Sequence, residues 1–337
     1  IMCGLLGRMI DGQVLAQDTA APLRLSVRQV THGPKTHFFG YIGHVQTIPW
    51  NGSGQYILAL RSDAHGFMPG PDDPADVCLI DTRDNDKVIV VDESRAWNPQ
   101  QGTMFYWNPD APNTQFLFND RDRQTGKVFC VLFDFSRGQR GERIREYRFE
   151  DTPIGNSGVI QTGEYFLGIN YARMARLRPD TGDAQAADWT VGDDHPKSDG
   201  IFRVDINSGE KKLLVSFHQL ALVLRSKYPQ VGKLVINHTL SNRNGDRVFF
   251  FARAGWRGRQ AARINQPFVM HVDGSGLKML SQHIGGHPEW GEGSQMIGHV
   301  DGKQVIYDVD DEQIVRQLGD RSVFPNPEGD VALSPDG

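Results

Sequence analysis

Three units of this chain share one arrangement of a short strand, a polar turn and a second strand. The best-defined unit spans Ile236–Phe251, and in it His238 stands four residues before the turn Asn242–Gly245. In the next two units, His287 and Asp330 hold the same place before a Gly-rich and a Ser-Pro-Asp-Gly turn. A period of roughly 45 residues with this content is typical of β-propeller blades. Because equivalent strands of a propeller surround one axis, the sequence predicts that these three side chains are neighbours.

The remaining patterns predict an all-β chain, a β-propeller of four-stranded antiparallel blades. The 37 Gly and 18 Pro indicate many turns, and Gln219–Tyr228 is the one convincing helical segment. A first strand is predicted at Leu23–Val30. A recurring pattern of a strand, an Asp and a turn marks the outer hairpin of each blade, at Asp81, Asp134, Asp205 and Asp273. We expect a single propeller domain over 22–337, after a flexible segment or signal-peptide remnant at 1–21.

Composition narrows the function classes. The net charge of -5 and the pI near 6.1 predict no nucleic-acid partner, and the sequence has no apolar run long enough to predict a membrane span. Small residues at Val14–Asp18 resemble a signal cleavage site, although Arg8 and Asp11 interrupt the apolar region. We expect a monomer that is secreted or periplasmic. The final turn, Ser334–Gly337, predicts a further strand, so we expect the sequence to be incomplete at its C-terminus.

Seven segments form a further pattern: His37–Tyr41 with Pro49–Asn51, Trp97–Gly102, Ile169–Pro179, His195-Pro196, Asn237-His238 and His287–Trp290. Together they resemble seven-bladed β-propeller polysaccharide lyases, the oligogalacturonate and ulvan lyases with their relatives. The resemblance covers residues 37 to 337 and implies that His238 is a catalytic base and His287 a ligand of a divalent metal. It also implies that Gln100 and Gln101 line the channel. Asp330 stands where a further His is expected.

The residues fit the chemistry of uronate cleavage. A uronate lyase removes the proton beside a carboxylate and expels the sugar oxygen, so a metal or an Arg must neutralise that carboxylate. A His has the near-neutral pKa that the base requires, although His238 could instead cap a turn. His287 and Asp330 are a competent partial ligand set for Mn²⁺, Ca²⁺ or Zn²⁺. No organic cofactor is predicted. His283 and His299 are less well placed, and the acidic turn around His195 is typical of a solvated loop.

Two basic runs are candidate binding sites for an acidic saccharide. Arg173 and Arg176 belong to the first run, with Arg178, and Arg173 is the candidate neutraliser of the carboxylate. Arg257 and Arg259 belong to the second run, with Arg253 and Arg263. Tyr171 is either the acid toward the leaving oxygen or a core aromatic. Solvated loops are the alternative for both runs.

These residues favour a lyase that cleaves an acidic polysaccharide or oligosaccharide by β-elimination. The alternative is a non-catalytic propeller that binds a glycan or a protein at its channel mouth, because propellers host many functions. A third reading is a relative that has lost activity, since Asp330 departs from the pattern.

Overall fold

The computed structural model of the chain describes residues 26–40, 47–63, 68–256, 263–326 and 331. The chain divides into two compact units, Ile1–Val30 and Thr31–Gly337. In the first unit, the described residues 26–30 form no strand, so the strand predicted at Leu23–Val30 is wrong over those five residues. The second unit holds every helix and strand reported below.

The described residues form twenty strands and two helices. The strands of the first two sheets are β1 (Thr36–Phe38), β2 (Tyr56–Ser62), β3 (Ala75–Asp81), β4 (Lys87–Ser94), β5 (Tyr106–Trp107), β6 (Gln115–Arg121), β7 (Val128–Asp134) and β8 (Glu142–Tyr147). The third sheet and its neighbouring helices contain β9 (Gly155–Val159), β10 (Tyr165–Ile169), α1 (Tyr171–Leu177), β11 (Gly200–Asp205), β12 (Lys211–Ser216) and α2 (Phe217–Leu224). The last two sheets contain β13 (Val235–Ser241), β14 (Arg247–Ala254), β15 (Ile264–His271), β16 (Lys278–Met279), β17 (Gly285–Trp290), β18 (Gln295–Val300), β19 (Lys303–Asp308) and β20 (Gln313–Gly319).

These strands make five four-stranded antiparallel sheets, each a simple meander of four consecutive strands. The all-β propeller of four-stranded blades is therefore confirmed, and each sheet is one blade. Successive blades contact one another through strands near their first edges, as β9 does with β13, and β13 with β17. A seven-bladed count remains a prediction.

In each blade, a backbone hydrogen bond closes the turn that precedes the second strand. The backbone N–H of Asn51, Asn108, Ile160, Asn242 and Gly291 donates to a carbonyl oxygen across the turn at 2.8–3.2 Å. In the turn of the first blade, Oδ1 of Asn51 also accepts the N–H groups of Gln55 and Tyr56, both at 3.0 Å. Asn is favoured there because its short side chain bonds to the backbone a few residues ahead. This repeated turn is the physical basis of the sequence period.

The outer hairpins also follow the prediction. Asp81, Asp134, Asp205 and Asp273 stand at the turns between the third and fourth strands of four blades. Each carboxylate accepts a backbone N–H two or three residues later, at 2.6–3.0 Å. Asp is preferred because such turns leave backbone donors without a partner.

Apolar side chains fill the spaces between the sheets. The strands β6 and β7 are buried over nearly their whole length, as expected for the middle strands of a sheet covered on both faces. Phe105, Phe116 and Phe133 form successive aromatic pairs between 5.1 and 6.1 Å apart. Among the described residues, no helix is long and apolar enough to cross a membrane.

Strand β8 and helix α1 are among the elements that were not predicted, and α2 is displaced from the predicted helix. Strand β8 has a polar sequence, and Arg143 on it forms ion pairs with Asp92 and Asp120 instead of packing apolar side chains. Helix α1 follows β10 directly. Helix α2 occupies 217–224, so the predicted helix began two residues late and continued four residues too far.

The first-turn construction predicts a stability effect. Asn51 is 5% exposed, and its Nδ2 also donates to the Asn113 carbonyl of the second blade at 3.1 Å. Replacing Asn51 by Ala leaves these buried partners unsatisfied, so we expect a loss of about 1–3 kcal/mol in the free energy of unfolding. Urea unfolding measures it. The control is Asn207→Ala in an exposed turn, and equal stability of the two variants would contradict this account.

Candidate active site

In three blades, the hydrogen-bonding register between the first and the second strand shifts near the cavity described below. The register of β13 against β14 shifts between Asn237 and Leu240, and that of β17 against β18 shifts between Gly285 and Glu289. Strand β9 has a similar shift opposite β10. Bulges of this kind re-aim side chains and are frequent beside active sites. At the first of them, His238 has a φ of +55°, which is uncommon for a residue other than glycine.

A cavity of about 160 Å³ lies at this level. Four blades and α1 contribute to its wall. Its lining residues are Gln100, Gln101, Met104, Tyr106, Ser157, Ile169, Tyr171, Met174, Arg178, Thr181, Asn237, His238, Thr239, Leu240, Arg253, Trp256 and His287.

The two histidines of the repeated pattern meet in this cavity. The rings of His238 and His287 are stacked, with centroids 4.9 Å apart and an interplanar angle of 27°. Phe251 packs edge-on against His238 at 5.8 Å, and Asn237 Oδ1 accepts the backbone N–H of His238 at 2.9 Å. Two imidazoles from different blades are therefore held within reach of one small ligand. Their catalytic and metal-binding roles remain predictions.

Of the two predicted metal ligands, only His287 lies within the described residues. Asp330 lies outside the described residues, and the neighbouring Val331 donates its backbone N–H to the His287 carbonyl at 3.4 Å. Within the described ranges, no group of three or more His, Cys, Asp or Glu side chains is placed to hold a metal. The described donors at this level are the imidazoles of His238 and His287, which suit a transition-metal ion but need further ligands.

The two predicted channel glutamines line the cavity. Oε1 of Gln101 accepts the backbone N–H of Gly182 at 2.8 Å and the side-chain amide of Asn98 at 3.2 Å. The first of these bonds fastens its loop to the segment after α1, and the second lies within the loop. Gln100 is the more exposed of the pair.

Tyr171 also lines the cavity, but its hydroxyl donates to the Asn156 carbonyl at 2.9 Å. Burial raises its pKa well above the usual value, so the phenol keeps its proton. A second phenol, Tyr106, was missed by the sequence analysis. Burial raises the pKa of Tyr106 too, and no described residue forms a hydrogen bond with its hydroxyl. The spacing of the short strand β5 gave no signal for it.

Arg173 does not reach the cavity, which corrects the expectation that it contacts substrate. Its side chain is fully buried, and its guanidinium donates to the carbonyls of Leu234, Asp193 and Asp194 and to the Thr190 hydroxyl at 2.7–3.1 Å. All of its nitrogens are thus occupied in holding the loop that precedes β11 and the start of β13. Arg173 is a structural residue.

The geometry of α1 explains why the Arg173 side chain lies away from the cavity. Helix α1 begins after Asn170, whose Oδ1 accepts the Arg173 N–H. With about 3.6 residues per turn, Tyr171, Met174 and Arg178 share the face toward the cavity, while the residue two positions after Tyr171 points away. Arg176 lies on that opposite side and pairs with Asp188 at 2.7 Å. It therefore does not line the cavity, and its substrate-binding role remains a prediction.

The second basic run is only partly described. Arg257 and Arg259 lie outside the described residues. Arg253 lines the cavity and packs over Phe251, with its Cζ 4.8 Å from the ring centroid. Arg178 and Trp256 line it as well. In the sequence, Arg178 and Arg253 stand out only as members of basic runs, and the helical spacing from Tyr171 was the signal for Arg178.

The other histidines have structural contacts. A ring nitrogen of His195 lies 3.0 Å from the Gly232 carbonyl. Nε2 of His299 accepts the backbone N–H of Gly302 at 2.9 Å. Neither residue lines the cavity, in keeping with the low weight that the sequence gave them.

A buried polar network supports α1. Asp199 is fully buried and accepts the side-chain amide of Asn170 at 2.9 Å and the backbone N–H of Gly200 at 2.8 Å. Burial raises the pKa of Asp199 to about 7, although Asn170 and the charge of Arg173 oppose the increase. Asp188 behaves differently: burial alone would raise its pKa, but bonds from Thr190 and Arg176 hold it below the usual range.

The Asp199 carboxyl predicts a pH dependence of stability. An unfolded Asp releases its proton near pH 4, whereas the folded one holds it up to about pH 7. Between these values the folded state binds more protons, so this group's contribution to the free energy of unfolding falls as pH rises. Between pH 4 and pH 7, the free energy of unfolding of the unsubstituted protein should fall by on the order of a few kcal/mol relative to that of Asp199→Asn.

Urea unfolding at a series of pH values measures this difference. The matched control is Asp72→Asn, because the Asp72 side chain is 73% exposed and should leave the pH profile of the parent unchanged. The same pH profile in Asp199→Asn and the parent would contradict the assignment.

Comparisons with known proteins identify no family. No protein-family model matches the sequence, and no curated protein matches it. A solved structure described as a putative TolB from Agrobacterium tumefaciens is 14% identical, with a TM-score of 0.46, over 92% of this chain and 90% of its own. Hydrazine synthase from Kuenenia stuttgartiensis is also 14% identical, with a TM-score of 0.47, over 86% of this chain and 77% of its own. Similarity at this level carries no functional argument.

Proposed function

We propose that this protein is a polysaccharide lyase that cleaves a uronate-containing saccharide by β-elimination. The observation that carries the proposal is the stacked pair of His238 and His287 in a cavity that Arg253 and two phenols also line. A base, a cation and a proton donor are the groups that this reaction requires. The resemblance of the sequence to propeller lyases adds support.

His238 is the base in this proposal. It takes the proton beside the substrate carboxylate, and the released electron pair forms the new carbon–carbon double bond. The bond to the leaving sugar oxygen breaks at the same time, and that oxygen takes a proton from a phenol. Atoms and charge balance without an oxidant or a reductant. His238 suits this role because an imidazole is basic near neutral pH.

Tyr106 is the better placed of the two candidate acids. Both phenols line the cavity and keep their protons at neutral pH because burial raises their pKa. The Tyr171 hydroxyl is committed to the Asn156 carbonyl, whereas no hydrogen bond joins the Tyr106 hydroxyl to a described residue, and the charge of Glu289 adds to burial in raising its pKa. We retain Tyr171 as the second candidate.

Arg253 replaces Arg173 as the proposed neutraliser of the carboxylate. Arg253 and His238 pack against the same ring, that of Phe251. Its Nε donates to Asn265 at 2.8 Å, which fixes the direction of the guanidinium. An Arg in this place stabilises the negative charge that develops when the proton leaves.

A divalent cation is the other proposed neutraliser. His287 with Asp330 would hold Mn²⁺, Ca²⁺ or Zn²⁺, and a bound cation would supply Lewis-acid stabilisation of the carboxylate. A chelator separates the two proposals, because it abolishes turnover only if the cation is required. Since a polymer of this kind does not cross membranes unaided, we propose that the protein acts outside the cytoplasm, secreted or periplasmic.

Replacing His238 by Ala tests the reaction. Loss of a general base lowers the rate by about 10²–10⁴-fold, so we expect kcat to fall by that order and KM to change little. The ultraviolet absorbance of the unsaturated uronate product measures turnover on pectate, ulvan and glycosaminoglycans. The control is His271→Ala, whose side chain is exposed at the end of β15.

Two outcomes would contradict the proposal. One is unchanged kcat in His238→Ala. The other is no unsaturated product from any uronate polymer, with or without added Mn²⁺, Ca²⁺ or Zn²⁺. In the second case, saturable binding of the same polymers would favour the non-catalytic propeller.

A further inference from the structure

Three guanidinium groups surround the indole of Trp256. The distances from Cζ to the ring centroid are 3.7 Å for Arg263, 4.8 Å for Arg178 and 5.6 Å for Arg253. Each contact is an attraction to the aromatic ring, but three like charges so close together repel one another. Within the described part of the chain, neither Arg178 nor Arg263 has a carboxylate at ion-pair distance. The cluster therefore carries an excess of positive charge.

Two hydrogen-bond donors of this cluster are buried without an acceptor. They are Nη1 of Arg178 and Nε1 of Trp256, and no described residue accepts from either. Buried donors without partners are rare in folded proteins and are costly. Both residues line the cavity that holds the histidine pair. An anionic group at this place would accept from both donors.

The electrostatics of Arg178 agree with this geometry. Burial lowers its pKa, and the charge of Arg263 lowers it further, while Asp180 offsets part of the effect. A bound anion would reverse this trend, because it favours the charged guanidinium.

Trp256 also lies between two cavities. It lines the one with the histidines and a second cavity of about 340 Å³, whose wall includes Leu177, Lys233 and Val235. Arg253 lies near His238, because both side chains pack against the ring of Phe251. The guanidiniums of Arg178 and Arg263 instead approach the indole most closely. They are thus placed to meet a ligand group other than the one at His238.

We propose that Arg178, Arg263 and the Trp256 indole N–H form an anion-binding subsite for the sugar unit next to the one at His238. The group bound is a carboxylate or a sulfate, for which Arg donors are well suited. The substrate class is then a saccharide with negative charge on successive units. This inference rests on the proposed function for the place of the reacting unit, but its test requires no turnover.

Calorimetric titration of the full chain tests the subsite. Every titration uses the His238→Ala variant as its background, because this variant lacks the proposed base and leaves the saccharide probes uncleaved. The probes are galacturonate, α-1,4-linked trigalacturonate, a sulfated galactose trisaccharide and neutral maltotriose. We expect an anionic trisaccharide to bind more tightly than maltotriose, with an affinity that falls as salt is added. The preferred trisaccharide distinguishes a carboxylate from a sulfate.

Adding Arg178→Gln or Arg263→Gln to the His238→Ala variant should weaken binding of the preferred anionic trisaccharide about 10- to 100-fold. This is the effect of losing one hydrogen bond to a charged group. Binding of galacturonate, which occupies the His238 end alone, should change less than that of the trisaccharide. The matched control is Arg203→Gln, because Arg203 also stacks on an aromatic ring, Tyr165, at 4.4 Å, but does not line the cavity. Thermal unfolding checks that each variant is folded.

The outcomes separate the two proposals. Unchanged trisaccharide affinity in folded Arg178→Gln and Arg263→Gln would overturn the subsite, as would equal affinity for charged and neutral trisaccharides. Weakened binding together with no lyase activity in the unsubstituted protein would support the subsite and contradict the proposed reaction.

Discussion

The candidate site depends on a break in the hydrogen-bonding register of the first strands. A regular strand would place alternate side chains in the spaces between blades, where the core packs. The shifts in β13 and β17 instead occur at His238 and His287, and the two rings meet at 4.9 Å. The left-handed backbone at His238 is part of this arrangement. Such conformations persist only where the surroundings hold them, and here Asn237 Oδ1 and Phe251 do so.

The charged network around α1 serves the same site indirectly. Arg173 and Arg176 turn away from the cavity and bind the loop before β11 and Asp188. The buried charge of Arg173 has hydrogen-bonded partners on all three of its nitrogens, which offsets the cost of removing it from water. With that side of the helix fixed, Tyr171 and Arg178 are held on the opposite side, toward the cavity. Residues that never touch the ligand thereby set the positions of those that would.

The sequence predicted the fold because its turns repeat. An Asp at the outer hairpin recurs from blade to blade, an Asn at the first turn recurs in three blades, and these side chains identify hairpins without knowledge of the core. It also predicted the proximity of His238 and His287, because equal distance from a turn becomes equal height in neighbouring blades. It did not place Arg173, because that residue was identified only as part of a basic run, and the helix that Asn170 caps there was not predicted. A change of period from two to 3.6 residues reverses which side chains share a face. Tyr106 could not be predicted, since a two-residue strand has no period.

A crystal structure with bound galacturonate tests the central claim most directly, because it locates both imidazoles and the ligand together. The account predicts His238 and His287 stacked at a centroid distance near 4.9 Å, in one cavity with Tyr106 and Arg253, and the sugar carboxylate against a guanidinium. A regular β13 that turns His238 into the space between the blades would contradict it. So would a ligand bound away from both histidines.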